Sequence, residues 1–362
     1  MKKVVIVTAN LTQVGGTERV AVTLANGFVE NLKYNVQVVS LGCRESSEKY
    51  DINEKIELKY CNIKSKHKKS IISIIKNLVV TFFQFNKFVK VQNWNKDECT
   101  IIGIGTGISY LLPYVFRGKK TKLIGTQHNP VRNNKIINTF RKFTLSKLTY
   151  YVVLDNDTEI EVNKKLSLDN VKVISNPLPL KAKAVSDIVN KEVLAVGRLT
   201  EQKGFDMLID VWSLVNKKNN EWRLTIVGEG EDKEKLLKKI KEYGLEESIE
   251  IKPFTNNISE YYLNSSIYVL SSRYEGFGLV MIEAQSYGLP VVAFDCPTGP
   301  RNIINNNLDG YLVEANNIEK MAEYLFELIN DENKRREFSN NAVLNSSKFY
   351  IENIVKKWNE II

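Results

Sequence analysis

The sequence predicts an α/β protein with two Rossmann-like domains, whose parallel sheets face a central cleft. Three observations predict this class. Short apolar segments alternate with longer helical patterns along the chain. A polar joint at residues 177–191 separates two such series. Glycine-rich or charged turns follow several of the apolar segments, at the strand ends where sheets of this kind bind ligands.

The strands are predicted from apolar runs that end at turns. In the first series they are expected at residues 4–8, 36–41, 100–105, 123–127, 151–155 and 171–175. In the second series they are expected at residues 193–197, 223–227, 249–253, 268–272, 291–295 and 311–313. A helix is expected at residues 17–31, and residues 319–362 have a helical pattern throughout. The predicted domains are residues 1–176 and 192–345, joined by a linker at 177–191.

Length and charge limit the classes of function that fit this chain. The 362 residues suffice for two domains, each with its own core. Residues 1–175 contain 28 Lys or Arg against 14 Asp or Glu, a net charge of +14, whereas the rest of the chain has a net charge of −5. Between Leu58 and Leu154 there are 18 basic residues and two acidic ones. A one-sided basic field favours anionic lipid, nucleic acid or a polyphosphate ligand.

The chain carries no sign of export. Met1 and two lysines lead directly into a strand-like segment, and no apolar run approaches the ~18–20 residues of a membrane-spanning helix. The four cysteines, at positions 43, 61, 99 and 296, lack the spacing of metal ligands. They are expected to be reduced thiols in a cytoplasmic protein.

Glu275 and Glu283 bracket the most informative segment. Gly276 and Gly278 lie at a strand-to-helix turn, where glycine allows close approach and the N–H groups favour the oxygens of a diphosphate. Glu283 is expected two helical turns beyond Glu275, roughly 12 Å along the axis. Two such carboxylates could bind the hydroxyls of a sugar and of a ribose in one nucleotide-sugar. A surface glutamate at each end of an ordinary helix is the alternative.

Arg198 and Lys203 follow the predicted strand at residues 193–197. Two cations there could neutralise a diphosphate and stabilise the charge that grows on a leaving nucleotide. A pair of surface cations is the alternative. No metal site is expected, since the histidines and cysteines form no cluster in the sequence.

Gly15 and Gly16 follow the first predicted strand and precede the first helix. This arrangement is typical of a phosphate-binding turn, but the full G-x-G-x-x-G spacing is absent, so a NAD site is not expected. A tight turn that needs glycine for its backbone alone is the alternative.

His128 follows the strand predicted at residues 123–127 and is one of only two histidines. A histidine at a strand end can serve a ligand or simply satisfy a local hydrogen bond. His67, the other histidine, lies among lysines and is expected to be solvated.

Four ordered segments resemble the signature of the family 4 retaining glycosyltransferases of GT-B fold. They are residues 14–20 (VGGTERV), 127–129 (QHN), 196–204 (VGRLTEQKG) and 271–293 (SSRYEGFGLVMIEAQSYGLPVVA). The resemblance spans about residues 1–313. A further segment, residues 298–303, is similar to the family's G-x-x-E-I-I turn, with Asn302 where a glutamate is usual.

The resemblance implies an activity and a role for each motif. The family transfers a hexose, of the glucose, galactose or N-acetylhexosamine type, from a nucleotide-diphosphate sugar, here expected to be a UDP-sugar, without a cofactor or metal. Glu275 would hold sugar hydroxyls, Glu283 the ribose, and His128 the sugar at the cleft. Arg198 and Lys203 would bind the diphosphate. The remaining donor-binding positions would be Gly15, Gly16, Gly228, Pro253, Phe254, Gly276, Phe277, Gly278 and Leu279.

The resemblance and the basic first domain together suggest an acceptor. A polyprenyl-diphosphate-linked glycan at the inner face of a bacterial membrane would fit, in the synthesis of capsule, O-antigen or another surface polysaccharide. Residues 70–91 form an amphipathic helical pattern with phenylalanines, preceded by Lys64, Lys66, Lys68 and Lys69. The pattern fits peripheral attachment to a membrane or core packing against the first sheet. The GT-B resemblance also implies that a C-terminal helix at residues 346–362 crosses back to the first domain.

Two other classes stay open. A nucleotide-sugar epimerase can share the GT-B fold and would need no acceptor. A basic nucleic-acid-binding protein is a more remote alternative, because the positive region contains no recognisable nucleic-acid-binding motif and the phosphate-clamp motifs lie in the acidic half.

Overall fold

A computed structural model describes residues 2–13, 15–44, 50–63, 71–92, 94, 98–116, 121–128 and 135–362, with the backbone alone described at 71–76, 78, 135 and 136. The chain forms two compact units. The first comprises Met1–Pro179 with Ile351–Ile362, and the second comprises Leu180–Tyr350. Each unit has its own parallel sheet. This is the doubly wound α/β architecture that the alternating pattern predicted.

The first unit is built on a seven-stranded sheet of order β3-β2-β1-β4-β5-β6-β7. Its strands are β1 (Lys3–Thr8), β2 (Asn35–Ser40), β3 (Glu57–Tyr60), β4 (Thr100–Gly103), β5 (Lys122–Thr126), β6 (Tyr150–Val153) and β7 (Val171–Val173). Its helices are α1 (Gly16–Leu32), α2 (Ile71–Gln92), α3 (Thr106–Val115), α4 (Lys135–Leu145) and α5 (Asn156–Leu166). One apolar core lies between the sheet and helices α2 to α5, with Phe85 and Val89 of α2 fully buried in it.

The second unit is built on a six-stranded sheet of order β10-β9-β8-β11-β12-β13. Its strands are β8 (Glu192–Val196), β9 (Arg223–Val227), β10 (Ile249–Lys252), β11 (Ile267–Leu270), β12 (Val291–Asp295) and β13 (Gly310–Glu314). Its helices are α6 (Phe205–Lys218), α7 (Lys233–Glu242), α8 (Ile258–Leu263), α9 (Leu279–Ser286), α10 (Pro300–Ile303), α11 (Ile318–Asn330) and α12 (Glu332–Ser346). Its strands are mostly buried, as expected for a parallel sheet covered on both faces.

Each predicted strand is present to within two residues at either end, and one strand was missed. Strand β3 lies at the edge of the first sheet, where its residues are half-buried or exposed, and its sequence alternates charged and apolar residues. Such a short edge strand carries little of the apolar signal from which the others were predicted.

The expectation of continuous helix from residue 319 to the C-terminus was wrong. Helix α11 ends before Asp331, whose carboxylate caps α12 by accepting the Lys334 N–H at 2.9 Å. A turn of 3₁₀ helix at Ser347–Phe349 then separates α12 from α13 (Ile351–Asn359). Helix α13 packs on α1 within the first unit, where Ile351 and Val355 fill the space that a side chain at Gly27 would need. Within the described residues, no helix is both long and apolar enough to span a bilayer.

Candidate active site

The strand order of the second unit reverses at β8, which pairs with both β9 and β11. Helices and loops diverge at such a point and leave a crevice beyond the carboxyl ends of the two strands, where ligands of open α/β sheets bind. Arg198 and Lys203 follow β8, and Glu275 follows β11. The sheet topology therefore places three predicted site residues at the switch point of one domain.

Lys203 and Glu275 form a buried ion pair. The Lys203 Nζ donates to Glu275 Oε1 at 2.5 Å, and their side chains are only 14% and 6% exposed. Ser272 donates its hydroxyl to the same carboxylate oxygen at 2.6 Å. Two more contacts tie the loops together, because Ser271 donates to the Lys203 carbonyl and Gly204 lies where a Cβ would be 2.2 Å from the Ser271 carbonyl oxygen. The predicted phosphate-binding cation is thus already neutralised by the predicted sugar-binding carboxylate.

Arg198 is held differently from Lys203. Its side chain is exposed and makes no hydrogen bond or ion pair among the described residues. Its loop is fixed by the backbone, with the Leu199 N–H donating to the Glu229 carbonyl at 2.8 Å. Gly228 lies so close to this loop that a Cβ there would be 1.9 Å from the Gly197 carbonyl oxygen, so only glycine fits. The backbone that carries Arg198 is therefore fixed, and its guanidinium is accessible to a ligand.

Glu283 is almost completely buried in the middle of α9 and accepts a hydrogen bond from the Tyr262 hydroxyl at 3.1 Å. The expectation that Glu283 lies two helical turns beyond Glu275, on which the ~12 Å axial estimate rested, was wrong. Gly278 has a φ of 91°, which ends the turn, and α9 begins only at Leu279. Only the last four of the eight residue steps are helical, a rise of ~6 Å at ~1.5 Å per residue.

The two carboxylates nevertheless face a common neighbour. Tyr268, on β11, is fully buried, and its hydroxyl donates to the Val196 carbonyl at 3.4 Å. Burial is the main reason that the pKa of Tyr268 is raised well above its usual value, and the charges of Glu275 and Glu283 both raise it further. Both acids therefore act on the region beyond the end of β8.

The turn before α9 presents backbone groups. Gly278 provides no side-chain cap for α9, so the first N–H groups of the helix have no side-chain acceptor from the N-cap residue. Phe277 is buried and packs edge-on against Phe349, with ring centroids 5.6 Å apart, while Gly276 and Leu279 are half-buried. An uncapped helix start of this kind favours an anionic group.

A second turn supports Glu275 from behind. Thr298 follows β12 and donates its hydroxyl to the Glu275 carbonyl. Its φ of 60° is strained for a β-branched residue, and the next residue, Gly299, lies against Phe277 and Glu275. Cys296 of the same turn is buried, and its pKa is raised to about 12, mainly by burial and further by the charge of Glu275. Sequence reasoning missed these supports, which come from residues more than 20 positions away.

The ends of β9 and β10 give mixed support to a base pocket. Phe254 is 49% exposed and Pro253 is exposed, so an aromatic face is open to a ligand. The Gly228 N–H, however, already donates to the Lys252 carbonyl at 2.9 Å. Gly228 therefore acts here by making room for the neighbouring loop rather than by donating to a base.

The glycine turn of the first unit is less open than the sequence suggested. The Gly15 N–H donates to the Tyr50 hydroxyl at 3.0 Å, and this hydroxyl donates to the Gln13 carbonyl at 2.9 Å. The buried Glu18 carboxylate lies where a Cβ on Gly15 would be 2.4 Å away. Gly16 begins α1. An acid at this helix start competes with a ligand phosphate for the same positive end; residue 14 of the motif lies outside the described residues.

His128 lies just beyond β5 and is half-buried, and its Nε2 is 2.9 Å from the Thr126 hydroxyl. Burial lowers the pKa of His128 to about 4, so the ring is neutral at pH 7. Beside it is a cavity of about 10 Å³, lined mainly by apolar residues of the first unit and with room for about one water molecule. Residue 129 of the motif lies outside the described residues.

The described residues contain no group of three or more His, Cys, Asp or Glu side chains placed to hold a metal. The sequence does have a D-x-D triplet at residues 155–157, a pattern that can indicate a metal site. In the structure Asp155 caps α5, its Oδ1 accepting the Thr158 N–H at 2.7 Å. Asp155 of that triplet therefore has a structural role.

The predicted residues fall into two groups. Arg198, Lys203, Glu275 and Glu283 belong to the second unit, where the first three follow the two strands of the switch point and Glu283 lies within α9. His128, Gly15 and Gly16 belong to the first unit and follow two strands of its sheet.

Comparisons with known proteins agree with this fold. Residues 181–344, which contain Arg198, Lys203, Glu275 and Glu283, match the family model described as glycosyl transferases group 1. The chain is 36% identical to the amylovoran biosynthesis glycosyltransferase AmsD of Erwinia amylovora, over the full length of both proteins. It is 28% identical, over 92% of each chain, to the N-acetylgalactosamine-N,N'-diacetylbacillosaminyl-diphospho-undecaprenol 4-alpha-N-acetylgalactosaminyltransferase of Campylobacter jejuni.

Among solved structures, the chain is similar to a variant of TarM from S. aureus crystallised with fondaparinux, alpha-GlcNAc-glycerol and UDP. The TM-score is 0.82 at 20% identity, covering 100% of this chain and 99% of that chain. This likeness confirms the GT-B fold. The chain belongs to the group 1 glycosyl transferases, the family 4 enzymes that its four motifs predicted, and it is a glycosyltransferase. The relatives named here give no support to the epimerase alternative.

Proposed function

We propose that the protein is a retaining hexosyltransferase that uses a nucleotide-diphosphate sugar, with UDP as the nucleotide. The observation that carries this proposal is the arrangement at the β8–β11 switch point, where an exposed arginine, a lysine and a carboxylate share one crevice edge. An exposed guanidinium suits two oxygens of a diphosphate, and a carboxylate suits the hydroxyls of a sugar.

The proposed mechanism is a front-face displacement. The bond between the anomeric carbon and the diphosphate oxygen breaks, and the acceptor hydroxyl forms its bond to the same face. The proton of that hydroxyl passes to a phosphate oxygen of the leaving nucleotide. Arg198 and Lys203 stabilise the charge that develops on the diphosphate, which is the largest contribution such a site can make.

The ion pair implies a change when the donor binds. In this structure Lys203 neutralises Glu275, so neither charge is buried alone. A diphosphate would offer Lys203 a second anion, and sugar hydroxyls would offer Glu275 new donors. Lys203 and Glu275 would neutralise each other in the crevice until the donor binds.

The acceptor class is proposed from charge and from the relatives. The Campylobacter relative acts on a diphospho-undecaprenol-linked glycan by name, and the first unit of this chain has the basic excess that a lipid diphosphate would need. We therefore propose a polyprenyl-diphosphate-linked glycan as acceptor, in the synthesis of a bacterial surface polysaccharide such as capsule or O-antigen.

A panel of nucleotide-sugars tests this proposal. Nucleotide release should be strong with one donor and should require a polyprenyl-diphosphate glycan, and NMR of the product should show the anomeric configuration of the donor. The matched control is Glu275→Gln, which keeps the size of the side chain and removes only its charge. Inversion at the anomeric carbon would overturn the retaining mechanism, and a sugar released without any acceptor would favour an epimerase.

We also propose that the protein attaches peripherally to the inner face of the cell membrane. Helix α3 contacts both α2 and α4, and the outer sides of these two helices expose Phe83, Phe140 and Phe143, which are 64%, 55% and 59% exposed. Lys147 lies over the Phe143 ring, 3.8 Å from its centroid. Aromatic side chains beside lysines suit the boundary between headgroups and acyl chains. The amphipathic pattern predicted at residues 70–91 thus contains both buried and exposed apolar side chains on α2.

Flotation with vesicles tests the attachment. Vesicles with an anionic lipid should carry the protein, neutral vesicles should not, and added salt should weaken binding because exposed charges are screened beyond ~10 Å at 0.1 M. Removing the four lysines at 64, 66, 68 and 69, which lie outside the described residues, should release it, at ~1 kcal/mol per charge. The paired change Phe140→Ser and Phe143→Ser should also release it, with Leu344→Ser of the second unit as the exposed control. Unchanged flotation in both variants would end the membrane proposal and leave the enzyme proposal intact.

A further inference from the structure

The hydroxyl of Thr126 has three polar partners, and their chemistry fixes the direction of every bond. Its Oγ1 is 3.1 Å from the Gly103 carbonyl oxygen, 3.0 Å from the Gly105 nitrogen and 2.9 Å from Nε2 of His128. A carbonyl can only accept, so it takes the single hydroxyl proton. A backbone N–H can only donate, so it fills one lone pair of the oxygen.

One lone pair of the Thr126 oxygen is then left for His128. A hydroxyl has one proton and two acceptor positions, and the proton is already committed. The hydrogen bond to His128 therefore requires a proton on Nε2. In a neutral imidazole this leaves Nδ1 unprotonated, as an acceptor.

The surroundings of His128 keep the ring neutral. The residues that line the adjacent cavity carry no charge, and burial holds the pKa of His128 near 4. The Nδ1 atom has no hydrogen-bond partner among the described residues. A neutral ring whose Nδ1 has no partner in the described part of the chain can receive a hydroxyl group there but repels a phosphate or carbonyl oxygen, which has no proton to give.

We propose that Thr126 is a positioning residue that fixes His128 as the Nε2–H tautomer, so that Nδ1 accepts a hydrogen bond from a hydroxyl group of the ligand. The inference rests on the proposed function for the identity of that ligand, a sugar hydroxyl. It adds a specificity rule, because a sugar substrate that lacks this hydroxyl or replaces it with an acceptor should be turned over poorly.

The tautomer can be measured without any ligand, so the test does not depend on the proposed function. Long-range ¹H–¹⁵N correlation spectra of the full-length protein with ¹⁵N-labelled histidine contain signals from only two residues, and His67→Gln assigns them. The expected result is an unprotonated Nδ1 and a protonated Nε2 at pH 8, both unchanged at pH 6. An unprotonated Nε2, or an imidazolium at pH 6, would overturn the proposal.

Kinetics then test the consequence. Thr126→Ser keeps the hydroxyl and should stay within about threefold of wild-type kcat/KM, whereas Thr126→Val should lose roughly tenfold, as for one hydrogen bond of about 1.4 kcal/mol. His128→Asn keeps an acceptor at the place of Nδ1 and should exceed His128→Gln by about tenfold. Thr126→Val could also disturb folding, so its melting temperature is compared with that of Thr126→Ser. If the Val variant folds and matches the Ser variant, Thr126 has no positioning role.

A failure of the proposed function would look different. No nucleotide-sugar would then be turned over by the wild-type protein, while the spectra would still report the tautomer. If instead the enzyme is active and His128→Gln equals or exceeds His128→Asn, the acceptor role of Nδ1 is wrong and the glycosyltransferase assignment stands.

Discussion

The two units have the same doubly wound α/β architecture, but they differ in the charge and the partners of their polar site residues. Strand order reverses at β1 in the first sheet and at β8 in the second, and predicted site residues follow strands near both reversals. In the second unit the acids are buried and held by partners, as in Lys203 with Glu275 and Tyr262 with Glu283. In the first unit the key group is a neutral histidine, within a half that carries a net charge of +14 against −5.

This difference fits the proposed function, in which the two units bind different substrates. Buried ions that have partners keep one fixed arrangement, which suits a small donor with many hydroxyl and phosphate groups. An excess of positive charge acts over a longer range and suits a large anionic acceptor. Variants that affect one unit and not the other can test this assignment.

The largest effect is expected from the two cations of the second unit. Arg198→Ala and Lys203→Ala should each lower kcat roughly 10²-fold or more, as when a donor to a developing anion is removed. Their effects on stability should differ. Arg198 is exposed and should be neutral, whereas Lys203→Ala leaves Glu275 buried without its cation and should cost about 3 kcal/mol in the free energy of unfolding.

Steady-state kinetics and urea unfolding measure the two effects separately. Lys203→Met is the matched control, because it keeps the stem that packs on Gly197 and removes only the charge. Activity that survives both alanine changes but is abolished by a chelator would show that a metal stabilises the diphosphate instead.

The two glutamates should separate binding from turnover. Glu275→Ala should lower kcat by about 10- to 10²-fold, because hydrogen bonds to a charged group contribute ~1.5–3 kcal/mol and the sugar that Glu275 is proposed to hold changes charge in the transition state. Glu283→Ala should mainly raise KM for the donor, because ribose contacts are the same in ground and transition states. The control variants are Glu275→Gln and Glu283→Gln, which keep the shape of each side chain and remove its charge. Kinetics near wild type for both alanine variants would remove the donor-site assignment.

The sequence predicted the fold better than the site. Apolar runs that end at turns identified all strands except β3, and motifs placed after strands had to lie at one edge of a sheet. The Lys203–Glu275 pair could not be predicted, because its members are 72 positions apart and meet only through the pairing of β8 and β11. The helical pattern from Leu279 to Tyr287 predicted α9, but the separation of the two glutamates was counted as if the helix began at Glu275, whereas Gly278 has a positive φ and α9 begins only after it.

One missed residue did leave a signal. Thr126 lies two positions before His128, and side chains two apart in an extended segment point to the same face. A hydroxyl on the same face as a candidate histidine is a reason to ask which tautomer it selects. The partners of that hydroxyl, Gly103 and Gly105, come from the neighbouring strand and its turn, so the direction of the bonds needed the structure.

The neutral histidine should also appear in the pH dependence of stability. The pKa of His128 falls from its ordinary value near 6.5 to about 4 on folding, so the unfolded chain binds the extra proton between these values. Stability is therefore lost as the pH falls from 6.5 towards 4, by about 2 kcal/mol between pH 7 and pH 5 at 1.36 kcal/mol per unit. His128→Asn should remove this loss, measured by urea unfolding at both pH values.

A buried acid in the second unit acts in the opposite direction. Burial raises the pKa of Asp309 to about 6, so the folded state binds the extra proton and stability falls as pH rises through that window. Asp309 is present in both the wild type and the His128 variant, so their difference isolates the histidine. His67→Gln is the control. If the two histidine variants respond alike, His128 is not held neutral by the fold.

The smallest effect should come from Thr298, which supports Glu275 through its hydroxyl while adopting a strained φ of 60°. Thr298→Gly should relieve strain of about 1 kcal/mol and lose a hydrogen bond of similar value, so the free energy of unfolding should change by less than about 1 kcal/mol. Activity should still fall a few-fold, because the Glu275 turn loses its tether. Thr298→Ser keeps the hydroxyl and the strain and should match wild type in both measurements. If the Gly variant is as active as the Ser variant, the rigid placement of Glu275 does not depend on this turn, and the second unit relies on its ion pair alone.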